Sequence, residues 1–191
     1  MDIAALIVKK DQFYIDMISH PNAVKSLAGR IKNTLIKFLD AWFERYGHEY
    51  IAHYPAYYME GGLTLSEDEI GAVNSDMFSE FFLPELAELS NHFGGIGIHC
   101  CADARHQWQN IKLIPNLKLL NLVQDKDIVD DAYPFFGSSL VHYHQPQINR
   151  RGIPWKPTQK IPSTCSVLEA HADDRDEAIR LAEILAERTG K

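Results

Sequence analysis

Stretches of strand length alternate with amphipathic stretches of helical length along most of this sequence. Short apolar runs or alternating apolar and polar residues predict strands at 63–66, 94–101, 117–123 and 138–144. Apolar residues at three- and four-residue steps predict helices between Pro21 and Gly47 and at 77–89, 104–111, 127–136 and 173–188. Strands and helices that alternate in this way form βαβ units. The sequence therefore predicts the α/β class with a parallel sheet.

Local signals indicate where several of these elements begin or are interrupted. Asn74 or Ser75 is a candidate cap for the helix at 77–89, and Pro84 is expected to kink that helix. Asp173 is the candidate cap of the last helix. The residues predicted to face inward from that helix are Ile179, Ala182 and Leu185. The stretch 145–162 is rich in proline and basic residues, which predicts a long loop.

Composition narrows the classes of function. A chain of 191 residues, 46% of them apolar and 24% charged, is typical of one globular domain spanning 1–191. No apolar run approaches the ~18 residues of a membrane span, and the first residues do not resemble a signal peptide, so a cytoplasmic protein is expected. The net charge of −7 argues against nucleic acid as a partner. Three cysteines, two of them adjacent, favour reduced thiols over disulfides.

The most informative local pattern is His99 and Cys101 on one predicted strand. Side chains alternate faces along a strand, so these two point the same way while Cys100 points with the apolar residues and is expected to be a buried, inert thiol. An imidazole and a thiolate so placed can both bind tetrahedral Zn²⁺. Cys165 is the remaining cysteine and the candidate third ligand. The alternative interpretation is that His99 and Cys101 are structural residues.

Three carboxylates follow the first predicted strand, at Glu67, Asp68 and Glu69. They are candidates for a general base, a further metal ligand or a hydrogen-bonding group for a substrate. The alternative is a solvated acidic turn that caps the next helix. Glu67 and Asp68 point to opposite faces of an extended chain, so we do not expect both to point inward.

Two histidines and an aromatic group are the remaining candidates. His142 and His144 share one face of a predicted strand and could line a cleft, or could pack with one satisfied hydrogen bond each. Trp155 is a candidate for an aromatic pocket. The tyrosines considered with it are Tyr54, Tyr57 and Tyr58.

Three longer stretches resemble the uroporphyrinogen decarboxylase superfamily in order and spacing over roughly residues 1 to 145. They are MDIAALIVKKDQFYIDMISHPNAVKSLAGRI, SDMFSEFFLPELAEL and GIGIHCCADARHQWQNIKLIPNLKLLNL. The resemblance implies a (β/α)8 TIM-type barrel with its site at the carboxyl ends of the strands. A full barrel takes about 250 residues. With four or five strands predicted, the chain is expected to be the C-terminal half of such a barrel.

Within that superfamily the His-x-Cys pair is similar to the zinc methyltransferase branch, which activates a thiol for methyl transfer from a corrinoid (cobalamin) protein. The resemblance implies zinc ligands at His99, Cys101 and, less directly, Cys165. Glu67 or Asp68 would then be a fourth ligand that leaves when a thiol binds. His142 or His144 would orient the small-molecule substrate.

Two other functions remain open. One is decarboxylation of a porphyrinogen, as in porphyrin biosynthesis, for which the candidate carboxylate-binding residues are Arg105, Arg150 and Arg151. The other is a non-catalytic half-barrel subunit. Because an open half-barrel exposes strand edges and apolar faces, we expect it to pair with its own copy or with a missing-half partner.

Overall fold

The computed structural model describes residues 1–47, 51–53, 57–59, 62–149, 151–156, 159 and 161–189, with backbone alone at 51–53 and 57–59. The described chain forms two compact units, Met1–Asn121 and Leu122–Lys191. Whether the chain acts as a single domain stays a prediction.

The first unit begins with three helices and continues as alternating strands and helices. Its helices are α1 Asp2–Val8, α2 Lys10–Ser19, α3 Pro21–Tyr46, α4 Ser75–Met77, α5 Leu83–Phe93 and α6 Trp108–Ile111. Its strands are β1 Ile51–His53, β2 Tyr57–Met59, β3 Leu63–Ser66, β4 Ile96–Cys100 and β5 Leu117–Asp125, the last of which runs on into the second unit. Short 3-10 turns lie at Asp68–Ala72 and Arg105–Gln107.

The first unit orders its main strands β3-β4-β5, and β3 pairs with β4 in parallel. β1 and β2 form a separate antiparallel pair. The predicted α/β class with parallel strands is therefore confirmed. That the chain is half of a (β/α)8 barrel stays a prediction.

The second unit contains helices α7 Lys126–Phe136 and α8 Arg175–Thr189 and strands β6 Val141–His142, β7 Gln145–Ile148 and β8 Arg151–Gly152. β5 pairs with β6 and, in parallel, with β7, while β7 and β8 are antiparallel. The prediction of a loop over 145–162 was wrong for β7 and β8. Pro146 suggested a loop, but pairing with the far end of β5 makes this stretch extended, and the Pro146 carbonyl accepts the Ile153 N–H at 2.8 Å.

Most predicted helix signals are confirmed. α3 runs from Pro21 at its first turn to a stop at Gly47. The Asn74 side chain accepts the Met77 N–H at 2.9 Å, as a cap does. A π-helical segment, Phe78–Phe82, precedes Pro84, so the predicted interruption appears as a change of helix type.

The last helix corrects two predictions. Its cap is Asp174 and not Asp173, because Asp174 Oδ1 accepts the Glu177 N–H at 2.8 Å. Leu181 is buried, whereas Ile179 is 42% exposed. The inward face is therefore shifted from the predicted one, toward Leu181 and away from Ile179 and Ala182, while Leu185 is half-buried as part of it.

The core of the first unit lies between its helices and the strands β3 to β5. Fully buried side chains there include Phe13, Phe78, Phe82, Ile98 and Leu119. None of the described helices is long and apolar enough to cross a membrane.

Candidate metal centre

The parallel register of β3 and β4 places the candidate site. Ser66 pairs with His99 at the carboxyl ends of the two strands, and the Glu67 N–H donates to the His99 carbonyl at 2.9 Å. Paired residues on neighbouring strands point to the same face, and so do residues two apart. Asp68, two residues beyond Ser66, thus comes to lie beside Cys101, two residues beyond His99.

Asp68, His99 and Cys101 form a cluster whose ligand atoms all lie within 4.8 Å of one another. Asp68 Oδ1 accepts the Cys101 backbone N–H at 2.5 Å, and Asp68 Oδ2 accepts the Cys101 S–H at 3.0 Å. His99 is buried and Cys101 is exposed. The cluster therefore reaches from the interior of the unit to its surface.

The orientation of His99 is set by Asn121, a fully buried residue of β5. The Nδ1 atom of His99 is hydrogen-bonded to Oδ1 of Asn121. Because an amide oxygen only accepts, Nδ1 is the donor in this hydrogen bond, and Nε2 is the nitrogen that would bind a metal. Metal-binding histidines commonly have their second ring nitrogen held in this way.

The two adjacent thiols differ in environment. Burial, and then the hydrogen bond to Asp68 and its negative charge, raise the pKa of Cys101 to about 11, so its sulfur is protonated at neutral pH. Cys100 is fully buried, and burial raises its pKa further still. The prediction that Cys100 is a buried thiol is confirmed.

The donor set fits Zn²⁺. It offers one nitrogen, one sulfur and one oxygen, which are the three kinds of protein ligand that zinc takes. Ligand atoms around a tetrahedral zinc lie roughly 3.3–3.8 Å apart, so separations of at most 4.8 Å need only small side-chain rotations. Three protein ligands also leave a position for a substrate, as catalytic zinc sites do.

Asp2 positions the turn that carries Asp68. Its carboxylate accepts the backbone N–H groups of Asp68 at 3.0 Å and Glu69 at 3.1 Å, and the Ser66 hydroxyl at 3.2 Å. A carboxylate at the amino end of a helical turn pairs with N–H groups that lack partners within the turn.

Two further residues hold the same turn from the other side. A Cβ atom added to Gly71 would lie 2.6 Å from Cβ of Ala102, so only glycine permits this approach. Gln107 is fully buried, and its Nε2 donates to the Val73 carbonyl at 2.6 Å and the Ile70 carbonyl at 3.3 Å. These contacts tie the turn after β3 to the loop after β4.

The other two carboxylates of the predicted group are buried in contacts of their own. Both carboxylate oxygens of Glu67 accept from the amino group of Met1, at 2.7 and 2.8 Å, and burial raises the Glu67 pKa. Glu69 forms an ion pair with Lys10 at 2.8 Å and accepts from the Tyr14 hydroxyl. The alternative of a solvated acidic turn was therefore wrong, while a catalytic role for these carboxylates stays a prediction.

His142 and His144 lie in the second unit and are hydrogen-bonded to each other. The Leu122 N–H donates to His144 Nδ1 at 3.1 Å, and His142 Nε2 lies 2.7 Å from the Gly137 carbonyl. The 3.0 Å contact between them must then run from His144 Nε2–H to His142 Nδ1, with both rings neutral. Burial lowers both pKa values, that of His144 to about 3. An orienting role for either histidine stays a prediction.

Cys165 also lies in the second unit, where it is exposed and its carbonyl accepts the His142 N–H at 2.8 Å. Its role as a third ligand stays a prediction.

Arg105 and Arg151 are exposed, and Arg150 lies outside the described residues. The side chains of Tyr54, Tyr57 and Tyr58 also lie outside the described residues, whereas Trp155 is described and buried.

Comparisons with known proteins return no match to a protein-family model, to a curated protein or to a solved structure. The resemblance to the uroporphyrinogen decarboxylase superfamily thus stays a prediction from the motifs.

Sequence reasoning identified His99, Cys101 and Asp68 but missed Asp2, Gly71, Gln107 and Asn121. These four act through contacts between residues far apart in the chain. No local pattern marks such contacts.

Proposed function

We propose that this chain is a zinc-binding protein in which Asp68, His99 and Cys101 hold the metal and activate a thiol substrate. The observation that carries the proposal is the convergence of three different ligand types from two strand ends within 4.8 Å. Zinc at such a site lowers the pKa of a bound thiol, so that a thiolate is present at neutral pH.

The protein residues have separable roles in this proposal. Asn121 accepts a hydrogen bond from Nδ1 of His99, so Nε2 is the nitrogen of His99 that would bind the metal. Asp68, whose carboxylate accepts the Cys101 S–H at 3.0 Å, is the group suited to accept the proton of an incoming thiol. Because Cys101 is exposed while His99 is buried, a substrate would approach from the side of Cys101.

We further propose that the activated thiol is methylated by a corrinoid protein, with Cys165 as an additional ligand and with Asp68 leaving the metal when the thiol binds. This step is supported by the motif resemblance alone. On the same resemblance we propose that the chain is half of a (β/α)8 barrel. We also propose that the chain works in the cytoplasm, where thiols stay reduced.

A partner chain, either a second copy or a missing half, is supported by exposed apolar side chains on α1 and α2. Leu6 is 84% exposed, Ile7 64% and Ile18 79%. Exposed apolar groups of this size near one another commonly mark interaction surfaces. Light scattering on the purified chain tests this proposal, and a monodisperse monomer that keeps its fold would argue for no partner of its own kind.

The first experiment is elemental analysis of the purified chain after dialysis against zinc and removal of the excess. The variants His99→Ala, Cys101→Ser and Asp68→Asn are treated in the same way. We expect about one zinc per chain, strongly reduced in all three variants. Cys165→Ser is measured beside them, because Cys165 is the additional ligand proposed above. Unchanged zinc in Cys165→Ser would remove Cys165 from the ligand set, and unchanged zinc in Cys101→Ser would overturn the proposed site.

The second experiment mixes the zinc-loaded chain with methylcobalamin and 2-mercaptoethanol and follows the cobalamin absorbance. We expect methyl transfer that Cys101→Ser abolishes. Stoichiometric zinc without transfer would refute the methyltransferase step while leaving the metal site in place, so the two parts of the proposal fail separately.

A further inference from the structure

A cavity of about 860 Å³ lies within the second unit, and its lining contains none of Asp68, His99 and Cys101. Its wall is largely apolar and rich in rings, with Pro134, Pro146 and Pro154 beside Tyr133 and Trp155. A volume in this range and a mostly apolar lining are typical of small-molecule sites.

Two polar groups in this wall have no hydrogen-bond partner among the described residues. The Tyr133 ring packs at 5.1 Å from both His142 and His144, which fixes the ring, while no described residue bonds to its hydroxyl. Burial, with a smaller contribution from Asp130, raises the Tyr133 pKa to about 12, so the phenol keeps its proton. The Nε1 atom of Trp155 is buried and likewise lacks an acceptor within the described chain.

The charged groups of the wall, in contrast, already have partners. Lys126 forms an ion pair with Asp130 on the next turn of α7. Glu169 accepts from Gln145 at 3.0 Å and lies 3.2 Å from His171, and these contacts lower its pKa. A charged ligand would have to displace one of these partners, whereas a neutral ligand would not.

We propose that this cavity binds a neutral, flat ring compound that carries a hydrogen-bond acceptor, with the Tyr133 hydroxyl donating to that acceptor. Trp155 and the prolines supply the apolar surfaces against which the ring packs. The proposal does not rest on the zinc function, and it requires neither zinc nor a thiol.

The probe is coumarin, a neutral two-ring lactone, titrated into the full chain and followed by ligand-observed NMR. Naphthalene has similar size without an acceptor, and coumarin-3-carboxylate adds a charge. We expect 1:1 binding of coumarin with a dissociation constant on the order of 1 mM or below, as small fragments of this size give. We expect the carboxylate to bind more weakly.

Two variants and one control locate the site. Tyr133→Phe keeps the ring and removes the hydroxyl, and we expect it to weaken coumarin binding about five- to tenfold while naphthalene binding is unchanged. Tyr143→Phe, a buried tyrosine of the same unit outside the cavity wall, should leave coumarin binding as in the parent chain. Leu168→Trp adds bulk to the cavity wall and should weaken binding of both probes.

The proposal is overturned if coumarin does not saturate, if Tyr133→Phe and Tyr143→Phe bind it alike, or if the carboxylate binds more tightly than coumarin. Because Tyr133→Phe removes a single oxygen atom, its result remains informative even if Leu168→Trp fails to fold.

Discussion

Gly71 lies where the 3-10 turn after β3 touches the loop after β4, and its replacement by alanine tests whether this contact assembles the metal cluster. The added Cβ atom would lie 2.6 Å from Cβ of Ala102 and 3.3 Å from the Asp103 carbonyl oxygen. Carbon atoms in contact lie roughly 3.5–4.0 Å apart, so the turn must retreat by about 1 Å. Ala102 has no flexible side chain that could move aside.

A retreat of this size has two measurable consequences. Overpacking at a rigid contact costs about 1–3 kcal/mol, which urea unfolding of Gly71→Ala should show as a lower midpoint with an unchanged slope. The contacts of Asp68 to Cys101, now 2.5 Å at the backbone N–H and 3.0 Å at the sulfur, would lengthen beyond hydrogen-bonding range. Zinc affinity, measured by competition with a chromophoric chelator, should fall at least tenfold.

The matched control is Gly29→Ala in the middle of α3, where no atom lies within 4 Å of the added Cβ. This variant should gain about 0.5–1 kcal/mol, because alanine loses less backbone entropy in a helix, and its zinc affinity should not change. A Gly71→Ala chain as stable as the parent would refute the steric argument. A destabilised variant with normal zinc affinity would instead show that the cluster does not depend on this contact.

Three other perturbations follow from the same structure. Gln107→Met should lower stability by about 1–3 kcal/mol in urea unfolding, because it leaves the buried Ile70 carbonyl without its donor. Asn121→Leu should weaken zinc binding about 10–100-fold in the chelator assay, and Asn121→Asp, which keeps an acceptor for His99, should restore most of it. The buried histidine pair should make stability fall in acid: because His144 has a pKa of about 3 in the folded chain, the unfolded state alone takes up its proton as the pH falls below about 6.5. At pH 5 this costs about 2 kcal/mol relative to pH 7.5, and the loss should shrink by that amount in His144→Gln. Equal pH dependence in both chains would contradict the neutral pair.

Sequence periodicity predicted the elements well where local and tertiary preferences agree. α3 was predictable because apolar residues recur at helical spacing all the way from Pro21 to Gly47, even though only Val24 and Ala28 of this helix are buried. β7 was not, because Pro146 is locally typical of a loop and the pairing that makes it a strand comes from residues more than 20 positions earlier in β5. The cap at Asp174 was missed by one residue, since two aspartates stand side by side and either could have capped the helix.

The candidate site shows the same division within a single cluster. Strand alternation is enough to place His99 and Cys101 on one face, because that relation involves one stretch of chain. The choice of Asp68 over its neighbours depends on the register of β3 against β4, which sets Ser66 opposite His99 and thereby turns Asp68 toward Cys101 and Glu67 away from it. That register is held by contacts invisible in the local pattern: the Asp2 carboxylate on one side of the turn, and Gly71 and Gln107 on the other. A metal centre built across two strands therefore becomes predictable from the sequence only once the pairing of the strands is known. For the same reason, substitutions of Asp2, Gly71 or Gln107 should affect the metal centre as strongly as substitutions close to it in the sequence.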